Sequence, residues 1–263
     1  MGQRSFSLYI PEISFLFFEV FRRNLKVFAK FWKTNIMFNF IEPLLYLIAL
    51  GIGLGVYIPQ IEGMTYLQFI APGILASSAM WASSFECTYG SFIRLEVQKI
   101  YHAIITTPVS LDEIVLGDMF FGAFKSFFYG SVILLVLSVL GCVSSPLALF
   151  IPPLLFLFGL VIAQLSMIWT SLAPNFEIFA YFFTLIITPM FLFSGVFFPI
   201  DNLPHIVQII AWITPLFHIV ELSRGFMTGF VSPLYWLNIL MLLLFSLVLF
   251  LPPLALMKRR LIQ

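Results

Sequence analysis

At 263 residues, 61% hydrophobic and only 10% charged, the chain has a mean hydropathy of +1.07. A water-soluble domain of that length cannot cover so much apolar surface, so lipid must be the solvent for much of it. The net charge of +1 gives no reason to expect nucleic acid as a partner. From the N-terminus, Met1–Pro11 is polar or mixed, and the first apolar run lacks a small-residue cleavage site, so no secretory signal peptide is expected.

Glu12–Lys33 is two-faced. Phe18, Phe21, Leu25, Phe28 and Trp32 recur at spacings of three and four, with Arg22, Lys26, Lys30 and Lys33 opposite. That pattern predicts an amphipathic helix in the membrane interface, basic groups toward phosphates and rings toward acyl chains. It reads equally as a simple positive-inside anchor or as a platform touching a cytoplasmic partner.

Six spans follow, at Met37–Ile58, Leu67–Tyr89, Ile114–Leu140, Leu147–Leu172, Ile178–Ile200 and Leu234–Met257. The predicted class is an all-α polytopic membrane protein, with residues 1–36 a cytoplasmic N-terminus and 37–263 a six-span transmembrane domain. Basic residues precede the first span (Arg4, Arg22, Arg23, Lys26, Lys30, Lys33), occupy the second connection (Arg94, Lys99) and follow the last span (Lys258, Arg259, Arg260). The first and third connections, Tyr57–Tyr66 and Gly141–Pro146, hold none, which places both termini in the cytoplasm. Cys87 and Cys142 then fall on opposite sides of the bilayer, too far apart for a disulfide. Gly51, Gly53, Gly55 and Gly73 permit close helix approach. No inverted repeat of broken segments is visible.

The second connection, Gly90–Glu113, carries Arg94, Glu96, Lys99, His102, Asp112 and Glu113. Its middle, Phe92–Thr106, is predicted as a short amphipathic helix, with Pro108, Ser110 and Asp112 supplying turn and cap chemistry. By composition it is a solvated loop, and by position the natural handle for a motor below. Within spans, Glu42, Glu86, Asp118 and Lys125 are costly ionisable groups. They are either hydrated near the interface or functional. Asp118 and Lys125, seven residues apart, share a helical face; Lys125 lies deeper and can snorkel.

Two motifs fail. Gly117–Ser126 (GDMFFGAFKS) lacks the GK[ST] ending of a phosphate loop and sits inside a span. His218 and Glu221 are one turn apart, but three histidines and no nearby cysteine favour a cap on an external helix over a metal pair. No nucleophile–base set is visible.

After the fifth span come Pro204–Thr214 and Pro215–Phe226, each opening on a proline and reaching only about 15 Å as a helix, half a membrane. They carry His205, His218, Glu221 and Arg224. Asn202 and Thr214 are placed to cap them. Charge placement puts these re-entrant half-helices on the outer side.

Three stretches resemble a known family. Ala71–Phe92 (APGILASSAMWASSFECTYGSF), Ile114–Lys125 (IVLGDMFFGAFK) and Thr188–Phe226 look like the permease subunits of type-2 ABC exporters, nearest the rhizobial nodulation-factor (lipo-oligosaccharide) exporter permeases. The resemblance implies a dimer of this chain working with two copies of a separate ATPase. ATP and Mg would then be bound by that partner, leaving this chain a non-catalytic subunit with no cofactor of its own, in the bacterial inner membrane. It implies that the family's amphipathic helix corresponds to Glu12–Lys33 and its coupling helix to Arg94–Thr106, so that Arg94, Glu96, Lys99 and His102 would face the ATPase. His205, His218, Glu221 and Arg224 would form an external gate. Glu86, Asp118 and Lys125 would be intramembrane polar groups. The implied cargo is a lipid-linked or amphipathic saccharide; efflux of a drug or small hydrophobic molecule is the nearest alternative. An ion-coupled carrier using Asp118 and Lys125 is the second.

Overall fold

The computed structural model of the protein describes residues 11–31, 40–58, 60–61, 63–230 and 232–261. Arg4, Trp32, Lys33 and the start of the first expected span at Met37 lie outside them. Among the described residues the chain is helical, with no strand beyond one isolated bridge between Ile61 and Met64. The helices are α1 (Phe17–Lys30), α2 (Phe40–Val56), α3 (Tyr66–Phe85), α4 (Ile100–Ile105), α5 (Leu111–Val139), α6 (Ile151–Leu172), α7 (Ile178–Phe193), α8 (His205–Trp212), α9 (Pro215–Thr228), α10 (Tyr235–Val248) and α11 (Leu251–Leu261).

The polar pattern of α3 explains its central position. A reciprocal box starts it: Thr65 Oγ1 accepts from the Gln68 amide at 3.3 Å, and Gln68 Oε1 accepts from the Thr65 amide at 3.1 Å. Its small and hydroxylated side chains then pack against neighbours, so sixteen of its twenty residues are buried. By contrast α10 buries only Asn238 and Leu242 of fourteen residues and presents leucines outward. Hydroxyls tie the interior together where water is excluded. Ser83 donates to the Gly159 carbonyl (2.8 Å), Ser126 to that of Leu155 (2.9 Å) and Thr170 to that of Cys87 (2.7 Å). Cys87 and Cys142 are both free.

Among the described residues three helices are long and apolar enough to cross a membrane: Leu111–Val139, Pro146–Leu172 and Tyr235–Leu261. A fourth would be the pair α8 and α9 taken together, but these meet at 88°. α2 and α7 are shorter apolar helices, and α3 mixes serines into its apolar run.

Three local expectations are corrected. The buried stripe of α1 is Val20, Asn24 and Phe28, with Phe17 and Phe21 beside it, while Phe18 is 55% exposed. The helix is rotated because it docks on α5, where Phe28 meets Phe121, Phe124, Phe128 and Tyr129 edge-on. The second connection is not one helix. A π-helical turn, Ile93–Val97, is followed by Lys99 at φ 53° and then by α4. Finally, neither Asn202 nor Thr214 caps a half-helix. α8 has Pro204 at its N-cap position and no side-chain cap, and the Thr214 hydroxyl donates backward to the Ala211 carbonyl at 2.6 Å.

Candidate functional site

Two polar sites lie toward opposite ends of α3, bordering Glu86 and Phe69, about 25 Å apart along the helix. At the first, α3 continues as a π-helical turn, Glu86–Gly90, a distortion common at functional positions. Gly90 leaves room there: a Cβ on it would sit 2.9 Å from Glu86 Oε1.

Four charged groups form a chain. Lys125 Nζ lies 2.5 Å from Glu86 Oε2, and Arg94 Nη1 donates to Glu86 Oε1 at 2.6 Å. Arg94 Nε and Nη2 both reach Asp118 Oδ2, at 3.1 and 2.9 Å. Asp118 also accepts from Asn24 Nδ2 (2.6 Å), Ser91 Oγ (3.0 Å) and the Tyr101 hydroxyl (2.6 Å). Asp118 and Lys125 do share one region, but through Glu86 and Arg94 rather than directly. Buried charges cost several kcal/mol each unless paired, and here carboxylates and cations alternate. Burial lowers the Arg94 pKa, but Asp118 and Glu86 outweigh it, so the guanidinium is held above its ordinary value. Burial, reinforced by Asp118, raises the Tyr101 phenol, which stays a neutral donor.

The break at Lys99 serves this cluster. Seven residues of straight helix would separate Arg94 from Tyr101 by about 10 Å, yet both reach one oxygen of Asp118. Arg94 therefore faces inward, while Lys99 and His102 are exposed. Glu96 joins them at the rim, bonding Lys99 at 3.0 Å and Arg260 at 2.9 Å. Arg260 also donates to the Thr170 carbonyl at 2.6 Å, pinning α11 to the end of α6. The N-terminal segment docks nearby. Asp112 accepts from the Glu12 amide (2.9 Å), and Glu113 accepts from the Ser14 amide (2.8 Å) and hydroxyl while closing a capping box with Ser110.

The second site is the elbow between α8 and α9. Arg224 donates to Glu221 at 2.5 Å and to the Gly195 carbonyl at 2.6 Å, and its guanidinium lies 4.2 Å over the Phe69 ring. Gly195 adopts φ +74°, the left-handed conformation glycine allows, in the turn after α7. His218 is fully buried. Its Nε2 donates to the Trp212 carbonyl at 2.9 Å, and Nδ1 faces the Asn238 side-chain amide at 2.9 Å, so one ring joins α8, α9 and α10. Ser194 and Thr214 hydroxyls meet at 2.8 Å. His205 is exposed and stands apart from this group. His218 and Glu221 have separate partners, and among the described residues no cluster of three metal-capable side chains occurs.

A cavity of about 430 Å³ opens beside the first site, walled by Tyr46, Ser77, Ser78, Trp81, Glu86 and Lys125. Trp81, Phe85 and Tyr89 stack in sequence along α3, with Phe183 lying against all three.

Sequence reasoning did not single out Asn24, Ser91 or Tyr101. Asn24 carried a signal, since it is a polar residue flanked by apolar positions of α1. Tyr101 carried none, because its role depends on the turn at Lys99.

Residues 16–228 match the family model described as ABC-2 type transporter. The chain is 38% identical to nodulation protein J of Rhizobium meliloti over 254 residues, 96% of each protein. It is 33% identical to nodulation protein J of Sinorhizobium fredii over 260 residues, 99% of each. It is also 22% identical to the inner membrane transport permease YadH of Escherichia coli over 213 residues, 81% of this chain and 82% of that protein. On a family match spanning most of its length and relatives similar from end to end, the chain belongs to the ABC-2 type transporter family.

Proposed function

We propose that the chain is the permease subunit of an ATP-driven exporter that carries a lipid-linked or amphipathic saccharide across the bacterial inner membrane. The end-to-end similarity to the rhizobial nodulation proteins J carries this reading. In it, residues 37–263 form six spans, α8 and α9 make a re-entrant turn on the outer side, and both termini, with residues 1–36, lie in the cytoplasm. Two copies of the chain pair with two copies of a separate ATPase, which binds ATP and Mg.

In this arrangement Lys99, His102 and Glu96 meet the ATPase from the exposed rim of the second connection. Arg94 lies behind them, where it passes a displacement of that connection to α3 and α5 through Glu86 and Asp118. Arg224, Glu221 and His218 hold the outer elbow closed, with the exposed His205 at its edge. The stacked rings of α3 and the serine hydroxyls of the 430 Å³ cavity suit the apolar faces and hydroxyls of a sugar.

The test is reconstitution in liposomes with an ATP-binding cassette chain encoded beside this one. ATP hydrolysis should rise with a labelled lipo-oligosaccharide, and the label should cross only with ATP. Stimulation by hydrophobic dyes but not by saccharide would move the cargo to small hydrophobic molecules. Transport without the ATPase would overturn the exporter reading in favour of an ion-coupled carrier.

A further inference from the structure

A second cavity, of about 240 Å³, lies between α1 and the second connection, on the other side of Lys125 from the aromatic one. Its polar lining is Arg23, Asn24, Glu86, Arg94, Gln98 and Lys125. Arg94 and Lys125 share Glu86, and Arg94 also takes Asp118. Three cations against two carboxylates leave one positive charge, and the pairing identifies its owner. Among the described residues no carboxylate forms an ion pair with Arg23, whose guanidinium donates only to Asn24 Oδ1, at 3.2 Å. Asp118 is bonded to Asn24, Ser91, Arg94 and Tyr101 and makes no bond with Arg23. Burial and then the neighbouring Arg94 push Arg23 below its ordinary pKa, with Asp118 offsetting this only in part. A half-buried guanidinium beside another guanidinium is costly unless an anion joins them.

The rest of the lining is mostly apolar: Phe28 and Phe121, whose rings lie 5.8 and 5.6 Å from Lys125 Nζ, with Val27, Phe31 and Ile93 as an exposed lip. A basic recess opening on an apolar lip, under a helix with exposed Arg22, Lys26 and Lys30, matches a lipid head and tail better than a soluble ion. We infer that this cavity seats the phosphate of an anionic phospholipid against Arg23, its acyl chains leaving over Val27 and Phe31. The lipid would fasten α1 to the second connection at a point where, among the described residues, no carboxylate pairs with Arg23. The inference does not depend on what the protein carries.

Native mass spectrometry of the purified full-length chain in detergent tests it, with phosphatidylglycerol and phosphatidylcholine of identical acyl chains. Wild type should keep phosphatidylglycerol through detergent washes and lose phosphatidylcholine. Arg23→Gln should weaken phosphatidylglycerol retention by about fivefold or more, the factor one basic residue contributes at a lipid surface. Lys26→Gln, on the exposed face of the same helix and outside the cavity, should weaken it clearly less. Equal retention of the two lipids by wild type, which requires no variant to fold, would overturn the site. Equal losses in Arg23→Gln and Lys26→Gln would reduce it to diffuse surface charge. Millimolar inorganic phosphate that displaces the lipid and raises the melting temperature equally would make the ligand a soluble anion and overturn the lipid assignment.

Discussion

Arg94 and Arg224 are both withdrawn from solvent at opposite ends of the bundle, but they are held in different ways. Arg94 is bracketed by two carboxylates from different helices, and the same cluster recruits Asn24, Ser91, Tyr101 and Lys125. Arg224 bonds a carboxylate three residues away on its own helix, one carbonyl and one aromatic face. A cluster drawn from several distant segments ties them into one body: removing the Glu86, Arg94 or Asp118 segment strands a buried charge, and removing α1 or α4 takes a hydrogen bond from Asp118. The Glu221 pair lies within one helix, so the Gly195 carbonyl and the Phe69 face can be released while that pair persists. The first suits the transmission of force and the second suits opening.

The strongest way to break the comparison is Asp118→Ala. It should destabilise the folded protein by about 3–5 kcal/mol, the range for removing one partner of a buried pair. The thermal midpoint in detergent would fall steeply; a midpoint close to wild type would refute the hub as a structural body. Next, Lys125→Met should cost less than Asp118→Ala, since Glu86 keeps Arg94. Combined with Glu86→Gln it should be non-additive by about 0.5–3 kcal/mol, as expected for groups in contact. Simple additivity would show that the 2.5 Å pair carries no coupling.

At the elbow, Arg224→Lys retains the charge but cannot reproduce two directed bonds and the stacking over Phe69. A loss of about 1–2 kcal/mol is expected, smaller than that of Asp118→Ala. Export should change more than the binding of the ATPase. A larger stability loss at Arg224 than at Asp118 would invert the contrast between the two sites.

The smallest effect is a pH dependence at the rim. The bond from Lys99, with help from Arg260, holds Glu96 below its ordinary value of 4.5. Its contribution is therefore complete above that value and fades as pH falls through the lower folded pKa. Acid should thus release α11 from the second connection. Protection of the Leu251–Leu261 amides, taken relative to their intrinsic exchange rate at each pH, should fall on acidification in wild type, and Glu96→Gln should remove that dependence.

The helical class and the places where α3, α5, α6, α9 and α10 run were legible from apolar length, prolines and sorted charge. Ser110 was legible as a cap because the signal is local: a hydroxyl three residues before Glu113. Asn202 and Thr214 have cap-forming side chains but no Glu or Gln three residues on, and neither caps: Pro204 holds the N-cap position of α8, and the Thr214 hydroxyl finds Ala211 and Ser194. The face of α1 was misjudged for a related reason. Periodicity gives the width of an apolar stripe, but docking on α5 chose Val20, Asn24 and Phe28 as its centre.

What the sequence by itself determined is the solvent and the plan: lipid from composition, helices from apolar length, and an interrupted segment after α7 from two prolines. These follow from properties that add along the chain. The partners of the charges were decided only by the tertiary structure. Asp118 is bonded to residues 17, 24, 27 and 94 positions away, and no local rule selects among such distant donors. The reach of a hydrogen bond is about 3 Å, so a turn at Lys99 or a rotation of α1 by one residue settles which groups meet.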